Sequence, residues 1–230
     1  MNVVTFLGIL SAFALIVPSL IIIFSKLLFH KSFVAFFIYF FINSFHNFLA
    51  LEFFPVSKDF LYYFGTLNNF LDAPLLLIGF YIFCTTPKMN KILTVSLAAY
   101  ILFEMIILAG FGFNSTSVVY ILGPGITLIL GFAIYFFQKH GRISIEKNKG
   151  LGKTLMATSI LFSYGCFTIV YYFYFIQETS AVKDVFIIYY IVSFIASVLM
   201  SIGLVWMYKR RKQILEVQVT RKELAVFFNH

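Results

Sequence analysis

Asn43, His46 and Asn47 recur at i, i+3 and i+4 within one apolar run, and Asn68, Asn69 and Asp72 repeat the pattern in the next. That spacing puts each trio on a single helix face. Glu104 stands alone in a third apolar run. Such groups are costly among apolar neighbours, so each marks either interhelical bonding or a site. A carboxyl can hold a proton or oppose a cation, an imidazole can relay protons, and the amides can donate and accept around either. Asp72 or Glu104 would then be the counter-charge and His46 the relay. Tyr171, Tyr172 and Tyr189 add rings for cation–π contact and, with Ser193, hydroxyls. Ser193, Ser197 and Ser201, spaced by four, also fit a small-residue packing stripe.

Prolines mark the same level of the chain. Pro74 cannot donate to the helix ladder and frees the carbonyl of Phe70, while Pro124, inside Gly123-Pro124-Gly125, frees the carbonyl near Tyr120. Pro74, Gly123, Pro124 and Gly125 are therefore predicted hinges.

The elements that must carry these residues are membrane spans. Of 230 residues, 61% are hydrophobic and only 11% charged, less than half the charge of a typical soluble domain. Mean hydropathy is +0.96. So much apolar surface has to face lipid. Seven apolar runs, at about 3–26, 32–54, 60–86, 90–112, 116–138, 152–177 and 185–208, are each long enough to cross. Short links predict an all-α, seven-transmembrane, up-and-down bundle over 1–208. Residues 209–230 form a basic juxtamembrane tail, predicted helical, with Ile214, Leu215, Val217 and Leu224 near one face. The first run is read as a retained helix, since no Lys or Arg precedes Lys26.

The cations orient the bundle. Of 17 Lys and Arg, all but Lys58 and Lys183 fall at one end of the spans or in the tail. The positive-inside rule makes that end cytoplasmic and the N-terminus external. The expected location is the plasma membrane, or the inner membrane of a bacterium. The net charge of +8 is thus a topology signal and an anionic-lipid contact, and no nucleic-acid partner is expected. By depth, the polar groups of the second, third and fourth runs lie about eight to thirteen residues in from the external end. They share one slab, which predicts an outward-facing polar pocket. The sequon Asn114-Ser115-Thr116 falls in an external turn, where it is either a glycosylation acceptor or a chance match.

The layout resembles rhodopsin-type receptors, by span number and orientation alone and with no shared motif. A retinal Schiff base needs a lysine midway along the seventh span, and residues 185–208 contain none; no cofactor is expected. Cys84 and Cys166 lie inside apolar runs and read as small buried hydrophobes. The leading expectation is a receptor or sensor that binds a small, in one version cationic, ligand from outside and signals through the tail to a cytoplasmic protein. An ion- or proton-coupled transporter using Asp72 and Glu104 is the alternative. A metal-dependent intramembrane hydrolase, with His46, Asp72 and Glu104 as ligands, comes third, without a second intramembrane histidine or an HExxH motif.

Overall fold

The computed structural model describes residues 3–147, 149–177 and 182–228. It is helical throughout. The elements are α1 (Val3–Phe24), α2 (Lys31–Ala50), α3 (Lys58–Gly79) with a 3-10 turn at Phe80–Phe83, α4 (Pro87–Phe111), α5 (Ser115–Lys147), α6 (Leu151–Tyr171) with a π-helical turn at Tyr172–Ile176, and α7 (Val182–Phe228). Seven of these segments are long and apolar enough to cross a membrane, as expected of a multi-pass membrane protein.

Local chemistry sets the ends. Ser57 accepts from the backbone N–H of Phe60 at 3.2 Å to start α3, and Thr86 accepts from Met89 at 3.4 Å to start α4, with Pro87 in its first turn. Asn114 starts α5 by accepting from the N–H of Ser117 at 3.0 Å. The asparagine of the sequon therefore serves as a helix cap.

Two elements outrun their apolar stretches. α5 stays helical through the charged residues to Lys147, helped by an Arg142–Glu146 pair at 2.6 Å one turn apart. α7 continues without a break past Tyr208 into the tail. The side chains of Lys183, Leu215, Arg221, Lys222 and Leu224 lie outside the described residues.

Six helices close into a ring in the order α1, α2, α3, α5, α6, α7, and α7 returns to α1. α4 packs on α3 and α5 from outside that ring and turns Leu102, Met105 and Ile106 outward. Small residues let the ring close. Ser19 and Ser44 of one α1–α2 seam donate across it, to Phe37 O at 3.2 Å and Ala12 O at 2.8 Å. These pairs run in opposite directions along the two chains, so α1 and α2 are antiparallel. On the α6–α7 seam Gly152 faces Gly203 so closely that a Cβ on Gly152 would meet the Gly203 carbonyl at 2.7 Å. Ser159 extends the seam by donating to Ala196 O at 2.6 Å.

Candidate ligand-binding cavity

A cavity of about 430 Å³ lies inside the ring, within the range of small-molecule sites. All six ring helices line it and α4 does not. It starts near Tyr62 and Ser115, at the first turns of α3 and α5, and reaches Leu76, Ile126 and Met200 deeper in the bundle. Its upper wall carries His46, Asn43, Asn47, Asn68, Asn69 and Asp72, joined by Tyr171, Tyr189, Tyr190 and Ser193. The deep wall, with Leu15, Leu76, Ile160 and Met200, is largely apolar, and the hydroxyls of Ser159 and Ser197 there are spent on backbone carbonyls.

The polar groups are bonded in three sets. Asn68 Nδ2 donates to Asn43 Oδ1 at 3.1 Å, joining α3 to α2, and Asn43 Nδ2 donates to Tyr39 O at 2.9 Å on its own helix. Asn47 turns the other way: it donates to Ser11 Oγ of α1 at 3.4 Å and accepts a long bond from Tyr189 Oη of α7 at 3.5 Å. Asp72 Oδ2 accepts from Tyr164 Oη of α6 at 2.5 Å, and that hydroxyl lies 3.3 Å from Tyr39 Oη. The amide faces of α2 and α3 thus meet at only one pair. Asp72 and Asn47 bond to helices far away in sequence.

His46 packs flat against α3. Gly65 leaves the notch, since a Cβ there would sit 2.9 Å from His46 Nε2. The imidazole also stacks on Phe64, with centroids 6.2 Å apart. Asp72 is half-buried, shielded from bulk solvent but facing the cavity. No Lys or Arg pairs with it: the ion pairs among the described residues are Arg142–Glu146 and Lys212–Glu216, both on exposed helix surfaces.

Glu104 and Tyr172 are expected in the pocket, but the structure puts neither in its lining. Tyr172 is exposed in the π turn. Glu104 is on α4, the helix outside the ring, and reaches inward between its neighbours. It is 7% exposed, and its Oε1 has no hydrogen-bond partner. Among the described residues no three His, Cys, Asp or Glu side chains gather as metal ligands, and Glu104 is separated from the cavity that His46 and Asp72 share.

Pro74 and Pro124 both lie within helix that stays α-helical, and the departures from α geometry come at Phe80–Phe83 and Tyr172–Ile176, which contain no proline. Gly123-Pro124-Gly125 is a docking notch. Tyr171 Oη donates to Val119 O at 2.9 Å and Tyr100 Oη to Ile121 O at 3.1 Å, on either side of the carbonyl that Pro124 leaves free. Both hydroxyls sit where a Cβ on Gly123 or Gly125 would be, at 3.0 and 2.6 Å. Neighbouring helices can re-satisfy a proline-loosened backbone in this way.

Sequence reasoning missed Tyr39, Tyr164 and Ser11. The two tyrosines were readable: a phenol in an apolar run has to find a polar partner. Their polar neighbours one turn on, Asn43 and Thr168, bond the backbone carbonyls of Tyr39 and Tyr164 and leave the hydroxyls unassigned, so nothing in the sequence pointed to Asp72.

Comparison with protein-family models, curated proteins and solved structures gives no match to the chain. Its function has to be read from the cavity itself.

Proposed function

We propose that this chain is a seven-span, up-and-down receptor of the plasma membrane, or of a bacterial inner membrane. In this reading its N-terminus is outside, its C-terminus is cytoplasmic, and it binds a small organic cation from outside. The observation that carries the reading is Asp72: a carboxyl facing a ligand-sized cavity with no basic side chain paired to it. Tyr164 orients one of its oxygens and leaves the other to the cavity. A cation would find its counter-charge there, with Tyr171, Tyr189 and Tyr190 rings nearby for cation–π contact. The apolar floor below Asp72 suits a ligand with a hydrocarbon end. α7 lines the cavity at Tyr189 and Ser193 and runs on unbroken to Phe228, so a shift at the ligand would be passed along one rod to a cytoplasmic partner. The distribution of Lys and Arg supports the orientation.

The test is a thermal-shift and calorimetric screen of the purified protein against alkylammonium and aromatic amines of increasing length. Binding that Asp72→Asn removes supports the reading. No stabilisation by any amine, or stabilisation unchanged in Asp72→Asn, would sink it.

A proton-coupled carrier is the second reading, favoured by the unpartnered Oε1 of buried Glu104. Proton uptake by proteoliposomes that disappears in Glu104→Gln would favour it over the receptor.

A further inference from the structure

At the opposite end of the bundle, α3 finishes in the 3-10 turn Phe80–Phe83, and all four of its last carbonyls are answered. Phe80 O faces the Cys84 thiol at 3.8 Å, and Tyr81 O takes the Cys84 N–H at 3.2 Å. Ile82 O takes Lys153 Nζ of α6 at 2.5 Å, and Phe83 O takes Nε2–H of His140 of α5 at 2.9 Å. Lys31 of α2 sits 3.8 Å over the Tyr81 ring. Three consecutive residues are therefore gripped by cationic or imidazole side chains from three different helices. Cations at a helix C-terminus are favourable, and that accounts for one contact of each side chain.

It does not account for the remaining charge. Lys31 and Lys153 stand in the first turns of α2 and α6, the positive ends of those helices, and neither first turn holds an acid. The two described carboxylates at this end, Glu146 and Glu216, pair with Arg142 and Lys212 on their own exposed helix surfaces. Lys31, Lys139 and Lys153 have no acidic partner among the described residues. His30 immediately precedes Lys31, and its Nδ1 accepts from the N–H of Ser32 at 3.2 Å; the neutral ring must then carry its hydrogen on Nε2. Partial burial, and then the charges of Lys31 and Lys153, hold His30 below its ordinary value of 6.5. The first turns of α2 and α6 thus bring two lysines to the Phe80–Phe83 turn, with an N–H donor in the residue before α2, and no acid among the described residues pairs with them.

We propose that this end of the bundle binds a phosphate-bearing anion beside the Phe80–Phe83 turn, held by Lys31, Lys153 and Nε2–H of His30. Helix N-termini and ammonium groups are the usual means of holding phosphate. The position at the membrane border is where the phosphate of an anionic lipid would lie; a free phosphate ion offers the same chemistry.

The full chain in nanodiscs separates these sources. Phosphatidylglycerol should be retained in preference to phosphatidylcholine, and that preference should fall about fivefold for each of Lys31→Gln and Lys153→Gln. Lys88→Gln with Lys91→Gln removes twice the charge of either single variant, at exposed positions of the same end, and should leave it unchanged. Glutamine at 153 can still donate to Ile82 O, and Lys153→Arg should retain the lipid if the fold is intact. In pure phosphatidylcholine discs, inorganic phosphate is titrated while the His30 ring is followed by NMR. The ring should become easier to protonate when an anion binds. A response to phosphate alone names the free ion, and a response only to phosphatidylglycerol names the headgroup. No response of His30 to either, or equal loss of preference in the Lys88/Lys91 control, would overturn the proposal.

Discussion

The two ends of the six-helix ring are built on opposite plans. At one, Asp72 faces a cavity with no base beside it; at the other, Lys31, Lys139 and Lys153 gather with no acid beside them. The acidic end is concave. Its amides and phenols are spent on one another, through Asn43–Asn68, Ser11–Asn47–Tyr189 and Tyr39–Tyr164–Asp72, and the volume between them stays open. The basic end is closed. Phe80, Phe83 and Phe136 fill it with ring centroids 5.4 to 5.9 Å apart, and Lys153 and His140 cap the last carbonyls of the turn beside that plug. Charge left unpaired inside a cavity is open to a small ligand, whereas charge left unpaired around a packed plug is open only to partners at the outer surface of the bundle.

The largest effect is expected at Asp72. Removing one partner of a buried charged pair costs about 2–5 kcal/mol, so Asp72→Asn should weaken binding of the best amine by at least about 30-fold by calorimetry. Binding that survives would remove the acidic end's distinction. Next comes the seam that closes the ring. A Cβ at Gly152 would meet backbone, which cannot swing aside, so Gly152→Val should destabilise the fold by about 1–3 kcal/mol, read as a lower melting temperature in detergent. A melting temperature equal to that of the native chain would show that α6 and α7 do not pack this closely. Tyr164→Phe removes the donor to Asp72 while keeping the ring, and it should change amine affinity by about 1 kcal/mol, clearly less than Asp72→Asn.

The smallest expected effect is at the basic end. His30 binds protons less readily folded than unfolded, so between pH 6.5 and its lower folded value the unfolded chain takes up more protons. Its contribution to stability is therefore complete above pH 6.5 and shrinks as the pH falls through that window. His30→Gln should flatten this part of the melting-temperature profile, and adding the anion that fills the site should flatten it as well. A profile unchanged by His30→Gln would mean that neither burial nor the charges of Lys31 and Lys153 hold the ring below its ordinary value.

The span pattern was legible because hydropathy is local: the seven runs agree with the seven helices to within a few residues except at the distal ends of α5 and α7. Those overran because helix propensity and i, i+4 pairs continue into water where apolarity stops. Much of the cavity wall was legible for a related reason. A polar residue in an apolar run is conspicuous, and equal depth along neighbouring spans implies proximity, which is how Asn43 and Asn68 could be matched. Glu104 has the right depth and the wrong place, since depth does not report which helix stands outside the ring.

From the sequence alone, then, come the seven helices, the slab that holds their polar groups and the end that collects their cations. Each follows from composition along one dimension, because lipid penalises every uncompensated polar group and the membrane potential and insertion machinery sort the lysines. Only the tertiary structure decided that α4 is excluded from the ring, that Asp72 answers to Tyr164 on α6, that Gly123-Pro124-Gly125 receives two tyrosines, and that Lys31, Lys153 and His140 converge on a single turn. Those are contacts between residues far apart in the chain, set by where glycines let backbones approach and by which hydroxyls had to find a partner, and no local pattern encodes them.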